Sequence, residues 1–264
     1  MQGGLGNQLF CLAFARSVRL LTGEPVALDL SSYGADRFGN AFVLKDLARQ
    51  IDGLVTDRQP MLGNRFSSAL LRSLPFPIPG YVAEAPKSLS DRTLPSLARH
   101  RGYFDGYWQN ETYIHDPEAF AALVRDFLLS RSRSRSDSAV ALHYRTYKEE
   151  KHPVRSRAPG RDYFVRAIEA VESVSEPISR IDLISDDPAL ALERIGDIGR
   201  RVVPVVGGGA FDDMALILGV RALILTNSSF SWWGGFCGLA QTVVYPERRG
   251  LFHYPIPARR FCRV

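Results

Sequence analysis

Val220-Arg221-Ala222-Leu223-Ile224-Leu225-Thr226-Asn227-Ser228-Ser229-Phe230-Ser231-Trp232-Trp233-Gly234-Gly235 is the stretch on which the fold turns. Its first part is a short apolar run of the kind that forms a buried parallel strand. Small polar residues, two tryptophans and two glycines follow, which reads as a strand-to-helix turn built around a ligand. Backbone N–H groups at a helix start, with serine hydroxyls beside them, form an anion site. The plainer reading is a capped helix whose tryptophans fill the core, and this run alone does not separate the two.

Working outward, the second half of the chain alternates. Strands are expected at 139–145, 181–185, 201–205, 221–226 and 242–245, with helices at 160–174, 188–196, 211–219 and 232–240 between them. Strands alternating with helices predict a parallel, doubly wound α/β domain, whose ligands bind at the carboxyl ends of the strands. Two of those ends carry chemistry. Ala139-Val140-Ala141-Leu142-His143-Tyr144-Arg145 ends in His-x-Arg, and residues two apart on a strand share a face, so His143 and Arg145 are expected to project together. An Arg fork suits phosphate oxygens, and it suits a neighbouring carboxylate equally. Ile181-Asp182-Leu183-Ile184-Ser185-Asp186-Asp187-Pro188 ends in two carboxylates able to accept from a base or a sugar hydroxyl, yet Ser or Asp before Pro is also a helix cap.

The first half is less regular. Gly3-Gly4-Leu5-Gly6-Asn7-Gln8 opens a buried helix expected over 8–22 and lacks the Lys-Ser/Thr that closes a Walker loop. A strand is expected from Pro25 to Leu30, a loop and short helix from Tyr33 to Leu44, and a helix from Asp116 to Leu129 with Pro117 near its start. Residues 56–100 are rich in Pro, Arg and Ser and give no periodic signal.

Gly3-Gly4-Leu5-Gly6-Asn7-Gln8, Gly106-Tyr107-Trp108-Gln109 with Tyr113, His143-x-Arg145, Ser185-Asp186-Asp187 and Asn227-Ser228-Ser229-Phe230-Ser231-Trp232-Trp233-Gly234 occur in an order and spacing that resembles the α-1,2-fucosyltransferases, glycosyltransferase family 11. The resemblance covers roughly residues 2 to 250. It implies an α/β, GT-B-like fold of two Rossmann-like domains with the active site in the cleft between them. The expected bounds are an acceptor-side domain over 1–130, a linker over 131–138 and a GDP-sugar-binding domain over 139–264. The implied reaction moves L-fucose from GDP-β-L-fucose, with inversion and without a metal or other cofactor, to a hydroxyl of an oligosaccharide or lipid-linked glycan, in this family the 2-OH of a galactose-type residue. Arg145 matches the arginine that holds the donor pyrophosphate, and His143 the histidine beside it. Ser228 and Ser229 match the phosphate-contacting turn. Asp213, or its neighbour Asp212, matches a carboxylate set against guanine. Gly4, Gly6 and Asn7 belong to the glycine loop that reaches across from the other domain, and Asp186 and Asp187 complete the donor set.

Two departures qualify the resemblance. The family reads His-x-Arg-Arg-Gly-Asp-Tyr where this chain has His143-Tyr144-Arg145-Thr146-Tyr147-Lys148-Glu149-Glu150. One cationic fork is lost, and preorganised donors of that kind are worth about 2.7–4 kcal/mol each. Lys148 is the candidate replacement for the charge, and Glu149 and Glu150 are the candidate general bases, although a Glu-Glu-Lys run is also an ordinary solvated loop. Family members also carry a short apolar strand before the glycine loop, where this sequence has only Met1 and Gln2. A misassigned start, a truncation, or another segment filling the gap would each account for that.

Composition narrows the class. The 264 residues carry a net charge of +5 and 45% hydrophobic residues, ordinary for a globular protein of one large or two small domains. No apolar run reaches the ~18–20 residues of a membrane span, and no secretory signal is read. Cys11, Cys237 and Cys262 are too scattered for a disulfide framework or zinc site and fit a reducing cytoplasm. Arg131-Ser132-Arg133-Ser134-Arg135-Ser136 and the terminal Arg259, Arg260 and Arg263 are basic, but interleaved exposed aromatics are missing, so no nucleic-acid partner is expected. The charge does allow peripheral attraction to the inner face of a membrane bearing a lipid-linked acceptor.

Overall fold

The computed structural model describes residues 1, 3–35, 40–56, 71, 78–84, 93–132, 139–146, 159–205, 208–226, 228–246 and 261–264. Asn227, Lys148, Glu149, Glu150, most of the 56–100 segment, residues 133–138 of the expected linker, and Arg259 and Arg260 lie outside them. The chain is mixed α/β with parallel sheets, and it divides into two compact units, Met1–Phe120 and Ala121–Val264.

The first unit opens with α1 (Leu5–Thr22), three residues earlier than the sequence suggested. Leu5, Leu9, Leu12 and nearly every residue to Phe14 are buried, so apolar side chains encircle this helix rather than striping it. It stops at Gly23, whose φ of +74° is left-handed and whose N–H returns to the Arg19 carbonyl. Next come β1 (Val26–Ala27), a 3-10 turn at Ser31–Ala35, α2 (Lys45–Arg49) and β2 (Leu54–Val55). Then follow β3 (Tyr81–Ala83), α3 (Leu94–Ala98), β4 (Tyr103–Asp105) and a 3-10 turn at Glu111–Tyr113. The division between units falls within α4 (Pro117–Ser130).

The strands of the first unit are only two or three residues long and form two separate two-stranded parallel sheets, β1-β2 and β3-β4. Phe14, Val18, Val82, Leu94, Leu97, Trp108 and Tyr113 make its core. Among the described residues no strand joins the two sheets.

The second unit is the doubly wound domain. Its strands are β5 (Val140–Tyr144), β6 (Arg180–Ser185), β7 (Arg201–Pro204), β8 (Ala222–Leu225), β9 (Thr242–Tyr245) and β10 (Phe261–Arg263). Its helices are α5 (Arg161–Glu172), α6 (Pro188–Ile195), α7 (Ala210–Leu218) and α8 (Ser229–Cys237). All six strands pair in parallel in the order β10-β9-β8-β5-β6-β7. Counted along the unit this is 3-2-1-4-5-6, the Rossmann order. The expected elements match within one to three residues, but β10 was not anticipated: its three residues sit in a segment read only as basic.

Alternate residues of each strand feed opposite cores. Val140, Leu142 and Tyr144 pack with Phe164, Ile168, Ile181, Leu183 and Ile224 on one face. Ala141, Ile184, Leu223, Leu225 and Val243 pack with Leu216 and Ile217 on the other. A sheet buried on both faces explains the unbroken apolar runs in the sequence.

Candidate functional site

The order of the sheet reverses between β5 and β8, and a crevice for a ligand opens outside the carboxyl ends of such a strand pair. The residues leaving those two strands are His143, Arg145 and Thr146 on one side and Thr226, Ser228 and Ser229 on the other. The topology thus brings together two motifs more than 80 positions apart.

His143, at the end of β5, is 2% exposed and stacks on Phe230 with ring centroids 5.2 Å apart. Its carbonyl accepts from Thr226 Oγ1 at 3.0 Å, which ties the two strand ends at the switch point. Because β5 ends at Tyr144, the period of two stops one residue short of Arg145. His143 and Arg145 therefore do not share one environment, as the sequence had suggested: the histidine is buried and the Arg145 side chain is 41% exposed.

Asp186 explains where Arg145 goes. Its Oδ1 accepts from Thr146 N at 2.8 Å and Thr146 Oγ1 at 3.0 Å, while Oδ2 lies 3.5 Å from Arg145 Nε. One carboxylate from the end of β6 thus fixes the chain leaving β5 and steadies the guanidinium, which is the carboxylate reading of His-x-Arg. Asp187 does cap α6: its Oδ1 accepts from Leu190 N at 3.0 Å, with Pro188 in the first turn.

Ser228 is the N-cap of α8, its Oγ accepting from Phe230 N at 3.3 Å, and Ser229 begins the helix half-buried. The positive end of the helix dipole lies at this turn. The second part of the motif has a different task. Trp232 and Trp233 are buried and cross edge to face at 5.0 Å. A Cβ on Gly234 would meet Ile217 Cγ2 at 2.3 Å, so this glycine lets α8 approach α7. Within the run that opened the sequence reading, Thr226, Ser228 and Ser229 lie where β8 ends and α8 begins, and Trp232, Trp233 and Gly234 pack.

Asp213 and Asp212 lie in the first turn of α7, where Asp212 Oδ1 accepts from Ser132 Oγ. Tyr163 from α5 donates to the carbonyl of Leu225, bracing the end of β8 from below, and burial holds its phenol pKa far above the usual value.

In the first unit, Gly3 has φ of +85° and a Cβ there would strike the Asn7 side chain, while Gly4 caps α1 in extended form. Gly6 and Asn7 are already helical rather than part of a loop. Asn7 Oδ1 accepts from Gln109 Nε2 at 2.7 Å, and Gln8 is held by the Gly3 and Ala41 carbonyls and the Val43 N–H. The Gly106–Gln109 turn is fixed by Glu84, which accepts from Tyr107 N at 2.8 Å and Gln109 N at 3.2 Å. Trp108 sits at φ +53°, uncommon for a bulky residue, and stacks on Phe14 at 4.3 Å.

No protein-family model matches the chain, and no curated protein matches it. Among solved structures the chain is similar to the α-1,6-fucosyltransferase NodZ in a crystal soaked with GDP-fucose. The identity is 15% and the TM-score 0.46, over 94% of this chain and 93% of that one. Among the described residues, no helix is long and apolar enough to cross a membrane, and no group of three or more His, Cys, Asp or Glu side chains is gathered as for a metal ion.

Sequence reasoning counted Thr226 only as one small polar residue of the opening run, and it assigned no role to Thr146 or Glu84. Thr226 stands between a strand and a serine pair, so its position at a strand end was a usable signal. Thr146 was noted only as the absence of an arginine. Glu84 lies in the aperiodic segment and offers no local cue.

Proposed function

We propose that this chain is an inverting glycosyltransferase. It moves L-fucose from GDP-β-L-fucose to a glycan hydroxyl, the 2-OH of a galactose-type residue, as its motifs suggest. The observation that carries this reading is the meeting of His143-x-Arg145 and Ser228-Ser229 at the switch point of a 3-2-1-4-5-6 parallel sheet. In the proposed reaction the acceptor oxygen attacks the anomeric carbon, the bond from that carbon to the phosphate oxygen breaks, and GDP departs. Arg145 and the amino end of α8 offset the charge that develops on the pyrophosphate. Asp213 is assigned to the base and His143 to placing the nucleotide. Glu149 and Glu150 are the proposed acceptors of the hydroxyl proton, and a positioned base contributes roughly 10²–10⁴-fold. Asp186 is assigned to steadying Arg145, and Asp187 to the cap beside it. The reaction as proposed needs no metal or other cofactor, and a lipid-linked acceptor would bring the basic chain to a membrane surface.

A second reading is a homologue that binds the GDP-sugar and turns it over poorly. Thr146, tied to Asp186, stands where the motif would carry a second arginine. Acceptor-dependent GDP release from GDP-fucose, measured with galactosides, distinguishes the two. Release that disappears in Arg145→Ala supports transfer; GDP-fucose binding without release supports the second reading.

A further inference from the structure

The strands of the second unit stop pairing where the chain turns toward α8. Between β8 and β9 the ladder runs no further than Ile224 and Val244, and between β5 and β8 no further than His143 and Leu225. Beyond the last rungs, backbone carbonyls and the turn itself depend on other donors. Two side-chain hydroxyls, those of Tyr163 and Thr226, reach three carbonyls at these strand ends.

Tyr163 comes from α5, is buried, and meets Phe164 edge to face at 5.0 Å. Its OH donates to the Leu225 carbonyl and lies 3.3 Å from that of Val244, so one proton serves the ends of both β8 and β9. Thr226 follows Leu225 directly and is also buried. Its hydroxyl donates to the His143 carbonyl at 3.0 Å, and its own carbonyl accepts from Ser228 N at 3.0 Å. Ser228 caps α8, and Phe230 in the first turn of that helix stacks on the His143 ring. The bonds therefore form one line. Tyr163 holds Leu225, and Leu225 carries Thr226. Thr226 in turn holds the end of β5 on one side and the cap of α8 on the other.

The Tyr163 ring belongs to the core that contains Phe164, Ile168 and Ile224. Whatever it contributes to a ligand at the crevice must pass through the backbone. We propose that Tyr163 and Thr226 are positioning residues that set the amino end of α8 against the end of β5. The ligand side of this inference rests on the nucleotide reading given above: there the end of α8 meets the pyrophosphate, so the phenol raises GDP affinity from within the core.

Tyr163→Phe and Thr226→Val keep the shape of each side chain and remove its donor. Two measurements are made on the parent chain and on each variant: amide hydrogen exchange without ligand, and calorimetric titration with GDP. Exchange at the Ser228 amide should quicken about 3–10-fold in both variants, as for the loss of one hydrogen bond. The Ala191 amide, bonded to Asp187 at the start of α6, should keep its rate. GDP affinity should fall by a similar factor, roughly 3–10-fold. Thr226→Ser, which restores the hydroxyl, should recover most of that loss. Because the two residues act along one line, the double variant should lose less than the product of the single losses. Ile195→Val, a truncation in the same core but in α6, should lower the melting midpoint and leave both readouts in place.

Unchanged exchange at Ser228 in both variants would overturn the proposal. So would quickening shared equally by Ala191, which marks general loosening, or full GDP affinity in both variants of a parent that binds GDP. A parent that binds no GDP contradicts the nucleotide reading instead, and the exchange rates at Ser228 then decide the positioning by themselves.

Discussion

The two units use the same ingredients, short parallel strands and crossover helices, and arrive at different degrees of completion. In Ala121–Val264 six strands form one sheet with a core on each face. Among the described residues of Met1–Phe120 four strands form two sheets of two, and a cavity of about 550 Å³ is lined by residues of both. A two-stranded sheet is marginal by itself, and an unpaired edge is a template for another strand. The contrast teaches that stability in this chain is unevenly distributed. The second unit rests on one continuous sheet with a core on each face, whereas the first leans on α1 and its aromatic cluster.

The largest effect that sharpens the contrast is a pair of core truncations. Trp233→Ala removes a fully buried ring of α8 packed against Trp232 and Phe236 and should cost about 3–5 kcal/mol. Phe14→Ala removes a ring that already borders that cavity, where the surroundings have room to relax, and should fall below that range. Denaturant unfolding, followed by probes in each unit, measures both; a larger loss at Phe14 would break the comparison. The next effect is a pair of glycines. Gly234→Ala drives a methyl into Ile217 and should cost about 1–3 kcal/mol. Gly23→Ala meets open space at φ +74° and should cost about 1–2 kcal/mol from backbone strain alone.

The smallest effect is electrostatic and confined to the first unit. Burial alone would raise the pKa of Asp29, but bonds from Ser31 and Tyr103, with the Met1 ammonium nearby, outweigh it and hold the carboxyl below its ordinary value. A lowered folded-state pKa contributes stability above the unfolded-state value, near 3.9, that is lost as pH falls through the lowered one. Melting of the first unit should therefore weaken below about pH 4, and Asp29→Asn should flatten that acid limb. Melting of the second unit should not respond to this substitution.

The same contrast decides what the sequence could reveal. In the second unit each strand is buried on both faces and ends at a turn, so apolar runs and Gly, Pro and Ser punctuation mark the elements within a few residues. In the first unit β1 and β2 have two residues each and β3 and β4 three, too few for any period to register. Their pairing depends on distant partners such as Gly53 and Gly80. At the crevice, Arg145 and Ser228 were visible because charge and hydroxyl at a strand end are local signals. Asp186 as a partner of Thr146 was not, since nothing local to positions 146 and 186 announces that β5 and β6 are neighbours. Trp232 and Trp233 were open between two readings in the sequence, and their burial agrees with the plainer one, in which tryptophans fill the core.

Calorimetric titration of the whole chain with GDP, with UDP as control and Arg145→Ala alongside, tests most directly the claim that a nucleotide site lies at the β5–β8 switch point. The account predicts binding of GDP in preference to UDP and its collapse in the variant, with the variant's melting curve unchanged. A folded chain that binds neither nucleotide, or that binds GDP equally well without Arg145, would contradict it.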